Sequence, residues 1–217
     1  MASYYKEDSV KALAQLKMGL AVCCLLAAAG CAQKEDLASV DKQPDFAVSG
    51  IAVLPVKPVV DVDGSANAKN LQDGSWAMDG LLREMLAGKA GVRFVSIAEA
   101  GNMEQTGHAL EAARRIAAKQ NCNTVLEITL SRYNERVGNE YGVKQPAAVT
   151  FAFRLYEVKE GRMLCHGGFN EQQQSLMENL LNLPKTQSRG LVWLTAGELA
   201  RAGLKEKIGQ CPYLEGK

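Results

Sequence analysis

The chain has 217 residues, 47% of them hydrophobic, and its 25 basic residues nearly balance its 24 acidic residues. This balance argues against a nucleic-acid-binding protein, which would carry a strongly basic surface. Residues 31–217 are numerous enough for one domain with a substantial hydrophobic core.

The N-terminal part of the chain contains an uncharged apolar run at residues 19–29, preceded by three lysines. As a helix this run would span about 16 Å, roughly half the hydrocarbon core of a bilayer. It is therefore too short for a transmembrane anchor and is typical of the apolar region of a signal peptide. The small residues Ala28, Ala29 and Gly30 suit a peptidase cleft, and Cys31 follows them.

The stretch at residues 25–31 resembles the lipobox of bacterial lipoproteins, although Ala28 stands where that motif usually has leucine. The resemblance implies that residues 1–30 are a lipoprotein signal peptide. Cys31 would then carry a diacylglycerol and an N-acyl chain, with no other cofactor. Ala32 follows, with no aspartate to suggest inner-membrane retention, which favours the periplasmic face of the outer membrane. The alternative is ordinary cleavage within the alanine run, with Cys31 incidental.

The polar stretch at residues 31–46 is interpreted as a flexible tether, which reaches at most about 50 Å when extended. Residues 47–211 are predicted to form a single globular domain. Apolar runs and period-two alternation indicate strands, and apolar residues at helical spacing indicate helices. The predicted strands are residues 47–56, 92–97, 124–132, 147–158 and 162–169, and the predicted helices are residues 71–88, 104–120, 176–183 and 188–208.

This order of elements predicts an α/β (α+β) two-layer sandwich. Its mixed five-stranded sheet would end in an antiparallel C-terminal meander, with the helices packed on the sheet. The alternation in residues 147–158 is the strongest local signal, since Val149, Phe151, Phe153 and Leu155 fall on one face.

Three cysteines of the predicted domain are candidates for a disulfide: Cys122, Cys165 and Cys211. An oxidising compartment would allow one disulfide and leave one thiol free, and the pairing stays open. The cysteines and the two histidines lack metal-ligand spacing, so no metal site is predicted.

No catalytic residues are predicted, because the sequence contains no nucleophile elbow, phosphate-binding loop or dinucleotide-binding glycine motif. The chain is therefore expected not to be an enzyme. Four glutamates on predicted strands and loops are expected to be solvated: Glu127, Glu135, Glu140 and Glu157.

Residues 133–146, here called the contact loop, combine tyrosines, mixed charges and glycines between two apolar strands. Exposed tyrosine and arginine are enriched in interfaces, so Tyr133, Arg136 and Tyr141 are candidates for partner contact. The alternative is a solvated hairpin end whose tyrosines pack on the sheet.

Four segments together carry a resemblance to a known family: IAVLPV at 51–56, VRFVSIAEA at 92–100, AKQNCNTVLEITL at 118–130 and VTFAFRLYEVKEGRMLCHGGF at 149–169. They resemble the envelope lipoproteins related to the curli secretion component CsgG. That superfamily includes PelC, LpoB and the N-terminal domain of TolB. The resemblance covers roughly residues 47–209 and implies an anticodon-binding-like fold.

The resemblance implies a membrane-anchored periplasmic accessory of an envelope export or assembly system, of the PelC or CsgG kind. The alternative is an LpoB-like regulatory partner of a cell-wall synthesis enzyme, but the tether is short for spanning the periplasm. A CsgG-like pore would need long inserted hairpins, which the sequence lacks. The expected partners are the membrane, through the lipid anchor, and an envelope protein or further copies of the chain in a ring, with no nucleic acid.

Overall fold

A computed structural model describes residues 38–40, 46–60, 67–104, 109–139, 141–173 and 193–214. The predicted signal peptide, Cys31 and the helix predicted at residues 176–183 lie outside these ranges. Within the described residues, the elements in chain order are β1 (Ala38–Val40), β2 (Ile51–Val53), β3 (Lys57–Pro58), α1 (Ala68–Met85), β4 (Val92–Phe94), α2 (Ile97–Glu104), α3 (Ala109–Lys119), β5 (Thr124–Asn134), β6 (Val137–Gly138), β7 (Val143–Gln145), β8 (Ala148–Glu157), β9 (Met163–Gln172) and α4 (Ala196–Ile208).

The main sheet has the strand order β1-β9-β8-β5-β2-β4, and β3 also pairs with β5. Strand β5 runs parallel to β2 and antiparallel to β8, so it joins the parallel part of the sheet to the meander. This arrangement confirms the predicted sandwich with a mixed sheet and an antiparallel meander. Strands β6 and β7 form a separate hairpin.

The sheet has seven strands rather than the predicted five, because β1 and β3 join it. Strand β3 continues alongside β5 beyond Pro55, where the predicted first strand is interrupted. Strand β1 lies in the segment expected to be a flexible tether, so that expectation is wrong for residues 38–40. Their backbone takes up hydrogen-bonding groups that the edge of β9 would otherwise expose.

The larger core lies between the sheet and helices α1 and α4. The predicted apolar face of β8 points into it, and its other large members come from β5 and the two helices: Leu126, Ile128, Leu130, Met78, Leu82, Leu199 and Leu204. A smaller cluster on the opposite face packs α3 against β2 and β5, with Ile116 and Ala117 meeting Ala52 and Val125. The two clusters explain why β2 is apolar throughout.

Two capping boxes mark helix starts: that of α2, a helix that the sequence pattern does not predict, and that of α4, which differs from the predicted start. Ser96 precedes α2, and its hydroxyl accepts a hydrogen bond from the Glu99 backbone N–H at 3.2 Å. Thr195 does the same for Glu198 at the start of α4, so this helix begins at Ala196 rather than Ser188. Each Ser/Thr-x-x-Glu sequence satisfies backbone donors that the first turn leaves unpaired.

The turn between β8 and β9 is built around Glu157, which is buried rather than solvated as expected. Its carboxylate accepts backbone hydrogen bonds from Lys159 at 2.6 Å and from Glu160 at 3.0 Å. Arg162 lies 3.5 Å from the same carboxylate, so its charge offsets the cost of burying a negative group.

Among the three candidate cysteines, Cys165 of β9 and Cys211 form the disulfide, and Cys122 is free. Both bonded cysteines are buried. The bond ties the meander to the segment that follows α4. Cys122 is only partly buried, and this burial raises the pKa of its thiol.

Helix α1 lies so close to β5 that a side chain at one of its positions would force a neighbouring group to move. A Cβ added to Gly74 would overlap Cγ of the Tyr133 side chain. Gly80, on the same helix, is exposed, and a Cβ there would meet no heavy atom within 4 Å. The two glycines therefore form a matched pair for substitution.

We expect Gly74→Ala to lower the free energy of unfolding by about 1–3 kcal/mol, because the methyl group would force Tyr133 or the helix to move. Gly80→Ala should instead raise it by up to about 1 kcal/mol, since alanine is the better helix former. Urea denaturation of both variants measures the two effects. Equal values would show that α1 does not contact Tyr133 as described.

Non-reducing peptide mapping should recover Cys165 linked to Cys211, with Cys122 alkylated once the protein is unfolded. The bond closes a loop with a sequence separation of 46 residues. Replacing both bonded cysteines by alanine should therefore lower the free energy of unfolding by about 2–4 kcal/mol. Cys122→Ala is the control and should leave the linkage intact. Any linkage of Cys122 to another cysteine would contradict this pairing.

Candidate functional site

The contact loop begins at an irregularity in the pairing of β5 with β8. The register shifts between Leu130 and Arg132, so Ser131 is an extra residue on β5. A bulge of this kind reverses the alternation of side chains that follow it. Arg132 consequently pairs with Thr150 on the polar face, and Tyr133 turns towards the helices.

Tyr133 is half-buried and packs at the edge of the larger core, against Gly74. Burial raises the pKa of its hydroxyl, and the negative charge of Glu135 raises it further. The bulge directs the Tyr133 ring inwards, and partner contact by Tyr133 stays a prediction. The alternative interpretation, in which the tyrosines of the loop pack on the sheet, holds for this residue.

Two charged residues fix the base of the contact loop to the start of α4. The Glu135 carboxylate accepts hydrogen bonds from the Ala196 backbone N–H, at 3.1 and 3.2 Å from its two oxygens. Arg136 donates through Nη1 to the Trp193 carbonyl. Because the first N–H groups of a helix lack partners within it and carry partial positive charge, the Glu135 carboxylate is well placed there.

The tip of the contact loop is the β6–β7 hairpin, and Asn139 organises its turn. The Asn139 side-chain oxygen accepts from the backbone N–H groups of Tyr141 and Gly142, each at 2.9 Å. The Asn139 backbone N–H donates to the Gly142 carbonyl at 2.9 Å. The turn thus displays Tyr141, which is 82% exposed, and Val137 at 51% is also exposed.

The three predicted contact residues therefore separate into two groups. Arg136 and Tyr133 belong to the base of the loop, where they hold it against α4 and α1. Tyr141 alone lies at the exposed tip. Sequence reasoning overlooked Glu135 as an anchor, although the Thr-x-x-Glu sequence at 195–198 marks the helix start to which it binds.

The polar face of the meander lies beside the base of the loop, and several of its side chains bond one another. Arg132 donates to the Thr150 hydroxyl at 3.1 Å and to the Asn170 side-chain oxygen at 2.8 Å. Across the same strands, Arg154 lies 3.9 Å from Glu127. These mutual contacts allow the face to be solvated, as is common for antiparallel sheets.

The residues described contain no group of three or more histidine, cysteine or acidic side chains arranged to hold a metal ion. None of the helices in the described ranges is long and apolar enough to cross a membrane. What the contact loop offers is a fixed base and an exposed aromatic tip, an arrangement suited to binding a partner.

No family model and no curated protein sequence matches the chain. Among solved structures, the PelC dodecamer from Paraburkholderia phytofirmans is 16% identical, with 83% of this chain and 96% of that chain covered and a TM-score of 0.47. The LpoB C-terminal domain from Salmonella enterica is 20% identical, with coverages of 60% and 87% and a TM-score of 0.35. Lipoprotein GNA1162 from Neisseria meningitidis is 19% identical, with coverages of 65% and 96% and a TM-score of 0.32.

We expect Tyr141→Ala to change the free energy of unfolding by less than about 0.5 kcal/mol, because the side chain is almost fully exposed. Glu135→Ala should lower it by about 0.5–2 kcal/mol, since the start of α4 loses an acceptor. Thermal unfolding measures both, and hydrogen exchange at Ala196 should rise only in the Glu135 variant. A Tyr141 variant as unstable as the Glu135 variant would show that the tip packs on the domain.

Proposed function

We propose that this chain is a membrane-anchored periplasmic lipoprotein and acts as a non-enzymatic accessory of an envelope export or assembly system. The observation that carries the proposal is the sequence at residues 25–31, which ends in small residues followed by Cys31. An acyl chain contributes about 0.8 kcal/mol for each buried CH₂, so a diacylglycerol together with an N-acyl chain anchors a protein stably.

The contact loop supports the accessory role. Glu135 and Arg136 hold its base to the start of α4, and Asn139 shapes its tip. A side chain presented by an ordered turn loses little conformational freedom when a partner buries it. Tyr141 is therefore the residue that we assign to contact with an envelope protein or with another copy of this chain.

The short tether favours export or assembly over regulation of a cell-wall enzyme. The stretch from Cys31 to Phe46 spans at most about 50 Å even when it is fully extended, so the start of the domain stays within that distance of the lipid. A partner of this domain must therefore lie at the same membrane. We propose that this membrane is the outer membrane and that the domain lies at its periplasmic face, since Ala32 rather than an aspartate follows the cysteine.

Intact-mass measurement of the protein purified from membranes tests the anchor. We expect cleavage before Cys31 and the added mass of three acyl chains, and we expect Cys31→Ala to lose both the lipid and the membrane association. Cys122→Ala is the matched control and should remain lipidated. A mature protein that is cleaved within the alanine run and carries no lipid would refute the proposal.

A further inference from the structure

Strand β1 carries an inference about how the domain is held at the membrane. Residues 38–40 pair antiparallel with β9, with Ala38 opposite Gly167, Ser39 opposite His166 and Val40 opposite Cys165. The segment therefore occupies the edge of the sheet, although it belongs to the stretch that links Cys31 to the domain. Because residues 38–40 are bound to the sheet, only the residues between Cys31 and Ala38 remain as a free linker.

The register of β1 also fixes the direction in which the chain arrives. Because Ala38 lies opposite Gly167 and Val40 opposite Cys165, the chain before Ala38 approaches from the Gln172 end of β9. Gln172 pairs with Ala148 of β8, which in turn pairs with Asn134 of β5. The contact loop connects β5, which ends at Asn134, to β8, which begins at Ala148, so it lies at this same end of the sheet. The turn around Glu157 lies at the opposite end.

We propose that β1 is a clip that sets the reach and the orientation of the domain, an inference that rests on the proposed lipid anchor at Cys31. With β1 docked, the seven-residue step from Cys31 to Ala38 spans at most about 25 Å. With β1 released, the free linker extends to Phe46 and spans about 50 Å. The docked clip halves the reach and turns the contact loop towards the membrane.

The two strands of this pair, β1 and β9, differ in how firmly the rest of the domain holds them. Strand β9 is paired with β8 over nearly its whole length, and its Cys165 is fixed by the buried disulfide to Cys211. Strand β1 has three residues, and within the described part of the chain it pairs only with β9. Short strands near chain termini open locally far more easily than the core of a sheet. The clip can therefore release while the domain stays folded.

Disulfide trapping tests the docked state without reference to lipid. Residues directly opposite on antiparallel strands have Cβ atoms about 4.5–5.5 Å apart, so the pair S39C and H166C should crosslink on mild oxidation. The matched control is S39C with N170C, since Asn170 lies four residues further along β9, roughly 13 Å away. Both variants carry Cys122→Ala, so that no other free thiol of the folded domain competes.

In the S39C and H166C variant of the full chain, we expect a monomer that loses two alkylatable thiols on oxidation. The N170C control should retain both. Disulfide-linked dimers would show that the strand on β9 comes from a second copy, and equal crosslinking of the two variants would show that the register is wrong. Either result would overturn the clip.

Energy transfer to acceptor-labelled lipid tests the reach and orientation. The lipidated protein is placed in phosphatidylethanolamine–phosphatidylglycerol vesicles, with a donor at K144C in the contact loop or at K159C in the opposite turn. Cys122→Ala again removes the competing thiol. The unclipped variant is A38P/S39P/V40P, which lacks every backbone N–H of β1, and the control S39A/V40A keeps them all.

With the clip intact, transfer from K144C should exceed transfer from K159C. In the proline variant, transfer from both positions should fall and the difference between them should shrink. Equal energy transfer from K144C and K159C in the vesicle-bound S39A/V40A control would overturn the proposed clip. Failure of the protein to bind vesicles at all would refute the lipid anchor itself, and the clip's effect on reach with it.

Discussion

The pairing of β5 with its two neighbours is the constraint on which the rest of the structure depends. Strand β5 lies parallel to β2 and antiparallel to β8, so both halves of the sheet take their register from it. Its one irregularity, the extra Ser131, decides which later residues face the helices. If Ser131 paired regularly with β8 instead of forming the bulge, Arg132 would point into the core and Tyr133 would point to solvent.

The position of α4 follows from the same constraint. Tyr133 packs beneath α1, and the chain then presents Glu135 and Arg136 to the start of α4. There the Thr195 capping box satisfies backbone donors at the start of the helix. Hydrogen bonds from Thr195 also hold the pKa of the Glu198 carboxyl below its ordinary value of 4.5. Because the pKa is lowered on folding, this stabilisation is present above about pH 4.5 and is lost as the pH falls through the lower value of the folded state.

The meander and the general architecture could be predicted because their signals are periodic. Val149, Phe151, Phe153 and Leu155 face the core as their alternation indicates. The bulge could not be predicted, since nothing in the sequence around Ser131 marks one residue as extra. The burial of Tyr133 follows from that single residue, which is why the contact loop was only partly understood from sequence.

Helix α2 and the start of α4 also differ from prediction, although the sequence carries a weak signal for each of them. The sequences Ser-x-x-Glu at 96–99 and Thr-x-x-Glu at 195–198 mark the starts of α2 and α4. Apolar spacing alone predicts no helix at α2 and begins the last helix at Ser188. The pairing of β1 has no such signal, because three residues carry too little pattern to distinguish a strand from a polar linker. The edge of β9, rather than the sequence of β1, explains that pairing.

The distribution of polar contacts supports the proposal that a partner binds the contact loop rather than the open face of the meander. On the open face, Arg132 is bonded to Thr150 and Asn170, so a partner would have to replace hydrogen bonds that already exist. At the tip of the loop, Tyr141 and Val137 expose apolar surface, and burying it removes water without breaking such bonds. Since the base of the loop is already fixed by Glu135 and Arg136, the ordering cost of binding falls mainly on the Tyr141 side chain itself.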